Sequence, residues 1–200
     1  MLVTAWNSAG ACVNDTTIGT MIWQANVDLG TALVGTEVSS DNSIFAENGF
    51  GINATSNYLR CTNFGFTIAQ IPVGSSIDGF EIEVRQLRAA VSITIVNTII
   101  RLVNNNVIVG NDFGAPGNWT TTETAVIYGN STQRGGQTWS VSDVTASNFG
   151  VGLAYVNGPT GLVAPTAHAF VDQVRIRVHY TEGGALFDPR IASQFMTFFS

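Results

Sequence analysis

The sequence predicts an all-β protein: an antiparallel two-sheet β-sandwich, jelly-roll-like, with a short extended or partly helical C-terminal arm. Three observations carry this. Apolar and polar residues alternate at period two through many short runs rich in Val, Ile, Thr and aromatics. Gly, Asn and Pro interrupt those runs about every 8–12 residues, the spacing of sandwiches and jelly rolls. Helical periodicity is nearly absent before the final stretch.

Taken in order, "TMIWQA", "SIFAENGFG" and "YLRCTNFGFTI" supply the early strands. "IDGFEIEVRQL" is the clearest: Phe80, Ile82 and Val84 share one face, while Glu81, Glu83 and Arg85 share the other. "VSITIV" alternates, and "TIIRLV", "NNN" and "VIVG" read as a hairpin whose asparagines tolerate positive φ. "TETAVIYG" and "NFGVGLAYVNG" follow, then "GPTGLVAP" as a long turn and "TAHAF" leading into "VDQVRIRVHY". In that last strand Val174, Ile176, Val178 and Tyr180 face inward, and Gln173, Arg175, Arg177 and His179 face outward. The carboxylates of one strand match the guanidinium groups of the other. Strand 77–86 is therefore expected beside strand 171–181, antiparallel, with Glu81, Glu83, Arg175 and Arg177 as structural ion pairs worth about 0.2–1 kcal/mol each. The organisation is an N-terminal arm (1–14), a sandwich domain (15–182) and a C-terminal docking arm (183–200).

Composition narrows the function. Charged residues are only 11% of the 200, all eight basic residues are Arg, and the net charge is −6. No basic patch exists to follow a phosphate backbone or an anionic membrane, so neither nucleic acid nor membrane is an expected partner. The start "MLVTAWNSAGACVND" lacks the positive region of a signal peptide, which points to a soluble protein made in a cytoplasm. Cys12 and Cys61 are too few for a disulfide framework and are expected to stay reduced there.

No catalytic, cofactor or metal site is expected. His168 and His179 lack metal-ligand spacing, and no nucleophile elbow or P-loop occurs. Glu81 and Glu83 share one face of one strand, about 7 Å apart at Cα, so they do not flank a substrate as glycosidase acids do. A turn accounts for Asn111 and Asp112 as well as a calcium site would. Trp119 and Tyr128 lie near polar loops and are the candidate glycan contacts, as a ring platform for a sugar, whereas Trp139 reads as a core residue. "TNFGFTI" and "SNFGVGL" share Asn-Phe-Gly before an apolar strand, where the Gly allows a bend or bulge.

In this order, "NYLRCTNFGFTI", "VGSSIDGFEIEVRQL", "IIRLVNNNVIVGND", "WTTTETAVIYGN", "GGQTWSVSDVTASNFGVGLAYVN" and "AFVDQVRIRVHY" resemble β-sandwich modules of phage and prophage virion structural proteins. The match spans roughly residues 15–181, and its motifs are strands with their turns. The resemblance implies a virion location and a capsid decoration or tail and fibre role, with the major capsid or tail protein as partner.

Beyond "TEGG" the resemblance stops, but apolar residues continue: Phe187, Ile191, Phe195, Met196, Phe198 and Phe199. Ile191, Phe195 and Phe198 or Phe199 fall at helical spacing. Burying one Phe contributes about 1.5–3 kcal/mol, so several can offset the ordering of a short segment. The segment either folds back into a groove of its own sandwich or, the preferred expectation, docks on another subunit: a non-enzymatic virion protein that forms a homo-oligomer, with a trimer as the guess, and docks on a particle through these residues. The alternative expectation is a carbohydrate-binding adhesion module that takes a host glycan.

Overall fold

The computed structural model describes residues 1–25, 33, 35–49, 53–88, 94–158 and 168–183. Among them are twelve strands and one short helix. The strands are β1 (Leu2–Val3), β2 (Asn7–Ser8), β3 (Ala11–Asp15), β4 (Trp23–Ala25), β5 (Ala46–Gly49) and β6 (Tyr58–Thr62), then β7 (Ser76–Arg88), β8 (Ile95–Asn104), β9 (Val107–Val109), β10 (Thr124–Asn130), β11 (Gly150–Asn157) and β12 (His168–Thr181). The helix, α1 (Val141–Thr145), buries Val141 and Val144 and starts with Ser140 and Asp143 in a reciprocal capping box.

The protein is an all-β, two-sheet sandwich. The first sheet runs β10-β7-β12-β5-β4, with β1 and β2 also on β12; the second runs β3-β6-β11-β8-β9. All these ladders are antiparallel. Counted from β5 to β12, eight strands give the orders 1-8-3-6 and 2-7-4-5. That is the double Greek key of a jelly roll.

Alternation explains the layers. Phe80, Ile82 and Val84 on β7 and Val174, Ile176 and Val178 on β12 are wholly buried. They meet Leu59, Ile100, Leu102, Val151 and Leu153 of the second sheet in one core. Phe80, Trp139 and Phe149 pack ring on ring, with centroids 5.4–5.7 Å apart. The Asn hairpin forms as the sequence suggests: Asn105 and Asn106, at φ 51° and 63°, join β8 to β9.

Two features differ from the sequence reading. Residues 1–14, expected as an arm, are built into both sheets. β1 and β2 pair with β12, and β3 pairs with β6 at the edge of the second sheet. The physical reason is a bare edge: β5 covers β12 only at residues 168–171, Val38 and Ser39 meet it at 173–174, and the N-terminal segment runs along it from there to Tyr180. Helix α1 was not foreseen; its signal was the Ser140 and Asp143 capping pair. The long turn expected at "GPTGLVAP" falls, past Gly158, outside the described residues.

Candidate functional site

The outer face of the first sheet carries a charge ladder. β7 and β12 are neighbours in a register that sets Arg175 opposite Glu83 and Arg177 opposite Glu81. Arg175 reaches Glu83 Oε1 through Nε at 3.0 Å and Nη2 at 2.5 Å, and the Arg177 Nε donates to Glu81. His179 Nε2 stands 3.6 Å from the same Glu81. At the far end of β12, His168 Nδ1 lies 2.5 Å from Glu47 Oε1 and its ring stacks on Phe170.

A tryptophan closes over this ladder. Trp6, between β1 and β2, places its ring centroid 4.6 Å from the Arg177 guanidinium carbon and 5.4 Å from that of Arg175. Thr4 and Ala9 donate their amides to Val178 and Val174, each at 3.0 Å, and hold the segment on both sides of the indole. Nothing in "MLVTAW" alone marks Trp6 for this position.

A second polar cluster gathers where β12 bulges between Val171 and Gln173. Carboxylate oxygens of Asp41, Glu123 and Asp172 lie within 4.8 Å of one another. Arg85 bonds Glu123 at 2.9 Å and Asp41 at 3.1 Å, so a guanidinium group takes the place a cation would fill. Burial pushes the Asp172 carboxyl above its ordinary range; the amides of Ser43 and Asn42 oppose this, and nearby Glu123 and Asp41 add to it. Asp112, weighed above as a calcium ligand, accepts instead from the amides of Ile100 and Gly114, at 2.8 and 2.7 Å.

The expected glycan platform is not on the surface. Trp119 is 3% exposed and Tyr128 6%. The Trp119 indole donates to Thr98 Oγ1 at 2.8 Å, and the Tyr128 hydroxyl donates to Gln86 Oε1 at 3.1 Å. Sequence placed both beside polar loops, but alternation within β10 and packing against Tyr155 turn the rings inward. Trp139 is in the core, as expected, with its N–H on the Arg134 carbonyl. The loop it anchors lines a polar cleft of about 440 Å³ with Asn111, Thr132, Gln133, Arg134 and Gln137.

A further feature is apolar. A groove of about 360 Å³ opens between Ile68, Val73 and Gly74 on one wall and Val141 and Thr145 of α1 on the other. Ile68 and Val73 are 63% and 79% exposed, and the Ser75 hydroxyl on the wall is buried without a hydrogen-bond partner among the described residues. Gly183, the last described residue, lies against Gly74. Met1, Leu2 and Val3 are exposed at the same end, where β1 pairs with Val3 opposite His179 and Leu2 opposite Tyr180. The expected docking residues Phe187, Ile191, Phe195, Met196, Phe198 and Phe199 lie outside the described residues.

No protein-family model matches the chain, and no curated protein is significantly similar to it. Two solved structures resemble it weakly. A candidate sugar-binding protein of Bacteroides thetaiotaomicron is 8% identical at a TM-score of 0.35, over 86% of this chain and 87% of that one. A candidate glycoside hydrolase of Bacteroides vulgatus is 9% identical at a TM-score of 0.35, over 88% of this chain and 100% of that one. Among the described residues, no helix is long and apolar enough to cross a membrane.

Proposed function

We propose that this is a non-enzymatic structural protein that assembles with its own copies and docks on a phage-type particle, as a capsid decoration protein or a tail accessory protein. The virion setting comes from the sequence resemblance. One observation carries the assembly role: an apolar groove, flanked by exposed Ile68 and Val73, opens beside the residue from which the Phe-rich C-terminal segment departs. The occupant we assign to it is that segment, residues 185–200, from a neighbouring copy. A groove of about 360 Å³ is at the small end of protein pockets. It holds part of six large apolar side chains, and the exposed Met1, Leu2 and Val3 extend the contact. Exchange of such segments between identical subunits closes symmetric rings.

Native mass spectrometry of the full chain and of a form ending at Gly184 tests this. The full chain is expected as a homo-oligomer, a trimer by our assignment, and the shortened form as a monomer. Val73→Asp in the full chain should lower the mass in the same way. Equal masses for full and shortened chains overturn the reading.

A second reading keeps carbohydrate recognition but moves it. The polar cleft at Asn111, Gln133, Arg134 and Gln137 offers hydrogen-bonding groups suited to a hydroxylated ligand. Titration against host polysaccharide checks it: saturable binding lost in Gln133→Ala and Arg134→Ala, but kept in the form ending at Gly184, would favour this reading.

A further inference from the structure

Cys12 and Cys61 are 49 positions apart in sequence and directly opposite each other in space, on β3 and β6. The Cys12 amide donates outward to the Gly35 carbonyl at 2.7 Å, away from β6. The couple is therefore a non-hydrogen-bonded antiparallel pair, in which Cα atoms lie about 4.5 Å apart and side chains approach most closely. That separation is within the range that a disulfide spans, about 4.4–6.8 Å. Both side chains face the core, at 1% and 0% exposure. The sulfurs sense each other: burial, then the Cys12 thiol beside it, drives the Cys61 thiol well above its usual range.

We propose that Cys12 and Cys61 are a modification site, closing to a cross-strand disulfide by exchange with a low-molecular-weight disulfide once the protein leaves a reducing compartment. Cys12 reacts first. It is on the edge strand of the second sheet, and its Sγ donates toward Glu37 Oε2 at 3.7 Å, which gives the thiol proton an acceptor. The Cys12 thiolate attacks one sulfur of the small disulfide, its S–S bond breaks, and one small thiolate leaves. The Cys61 thiolate then attacks the Cys12 sulfur of the mixed disulfide, and the second small thiolate leaves. The two protons lost by the protein end on the two small thiols, and two electrons pass from protein to oxidant. The bond fastens the N-terminal segment: residues 2–9 lie along the first sheet, and the link would tie their continuation, β3, to the second.

The test uses the full chain, purified reduced and then equilibrated with glutathione disulfide. The expected product has lost two hydrogens, about 2 Da, with no glutathione attached. A proteolytic map should join the Cys12 and Cys61 peptides, and Tm should rise by about 5–15 °C and fall back with dithiothreitol. Cys12→Ala and Cys61→Ala should each abolish that rise. Two free thiols after prolonged equilibration, or glutathione held on either cysteine, would overturn the assignment. If either variant fails to fold, the mass and map of the natural chain still decide.

Discussion

Trp6 and Arg177 are stacked, ring centroid to guanidinium carbon 4.6 Å, although they come from opposite ends of the sandwich sequence. The contact joins the first strand segment to the last strand and shields the Arg–Glu ladder beneath it. A cation–π contact at a partly exposed site contributes about 0.5–1 kcal/mol, and Trp6 makes two. Trp6→Ala is therefore expected to cost about 1–2 kcal/mol in urea unfolding. Hydrogen exchange at the Thr4 and Ala9 amides should accelerate; unchanged exchange there would mean that the backbone bonds to β12 hold the segment without the indole.

The ladder itself should register as coupling. In a double-mutant cycle of Glu83→Ala and Arg175→Ala, the interaction energy is expected at about 0.2–1 kcal/mol, since the arginine side chain is 30% exposed. High salt should reduce it. A coupling of zero would leave the charges with a role in register alone.

Trp119→Ala should behave as a core lesion. Removing the ring leaves a cavity beside Tyr155 and strips the Thr98 hydroxyl of its donor. The expected loss is about 3–5 kcal/mol, read by thermal or denaturant unfolding. Wild-type stability in this variant would contradict the burial of the ring.

Gly150→Ala tests the Asn-Phe-Gly turn before β11. A Cβ at Gly150 would stand 1.9 Å from the Cys61 carbonyl oxygen, which is backbone and cannot swing away. The expected cost is about 1–3 kcal/mol or more, seen as a lower Tm. Gly65→Ala in the related Asn-Phe-Gly segment has no neighbour within 4 Å, and its strain comes only from φ +68°. The two substitutions should therefore differ in cost.

Asp172 supplies a pH dependence. Its folded pKa is raised, so the charged form is less favourable in the folded state than in the unfolded one. Below its ordinary value near 3.8, both states are protonated and no penalty exists. As pH climbs from there through the raised folded value, the natural chain loses stability relative to Asp172→Asn, whose single carbonyl oxygen keeps one of the two bonds from the Ser43 and Asn42 amides. Melting temperatures of both forms from about pH 3 to about pH 7 should diverge upward in favour of the variant. Parallel curves would show that Asp172 carries no penalty.

The sequence made the sandwich legible because burial writes itself as alternation. Phe80, Ile82 and Val84 against Glu81 and Glu83, with the matching pattern at 174–180, identified both strands and their partnership. The Asn105 and Asn106 turn was legible because few residue types accept positive φ. Long-range convergence was not. Trp119 and Tyr128 share local composition with surface aromatics, and only the packing of Tyr155 and Gln86 from other strands shows them inside. Cys12 and Cys61 meet through a register that no local pattern encodes. Asp41, Glu123 and Asp172 come together through three separate chain segments, one of them at a bulge.

Among the described residues β12 is the longest strand, and β7, β5, β2 and β1 all hydrogen-bond to it. During synthesis, then, β1 and β2 leave the ribosome long before β12, the strand with which they pair. Until residues 168–181 emerge, β7 has one long flank open and β1 and β2 have nothing to pair with. Such non-local pairing makes for slow maturation and a nascent chain exposed to clumping with its siblings. Ribosome-bound chains stopped before residue 168 should be cut readily by protease throughout, and those long enough to release β12 should become resistant in a single step.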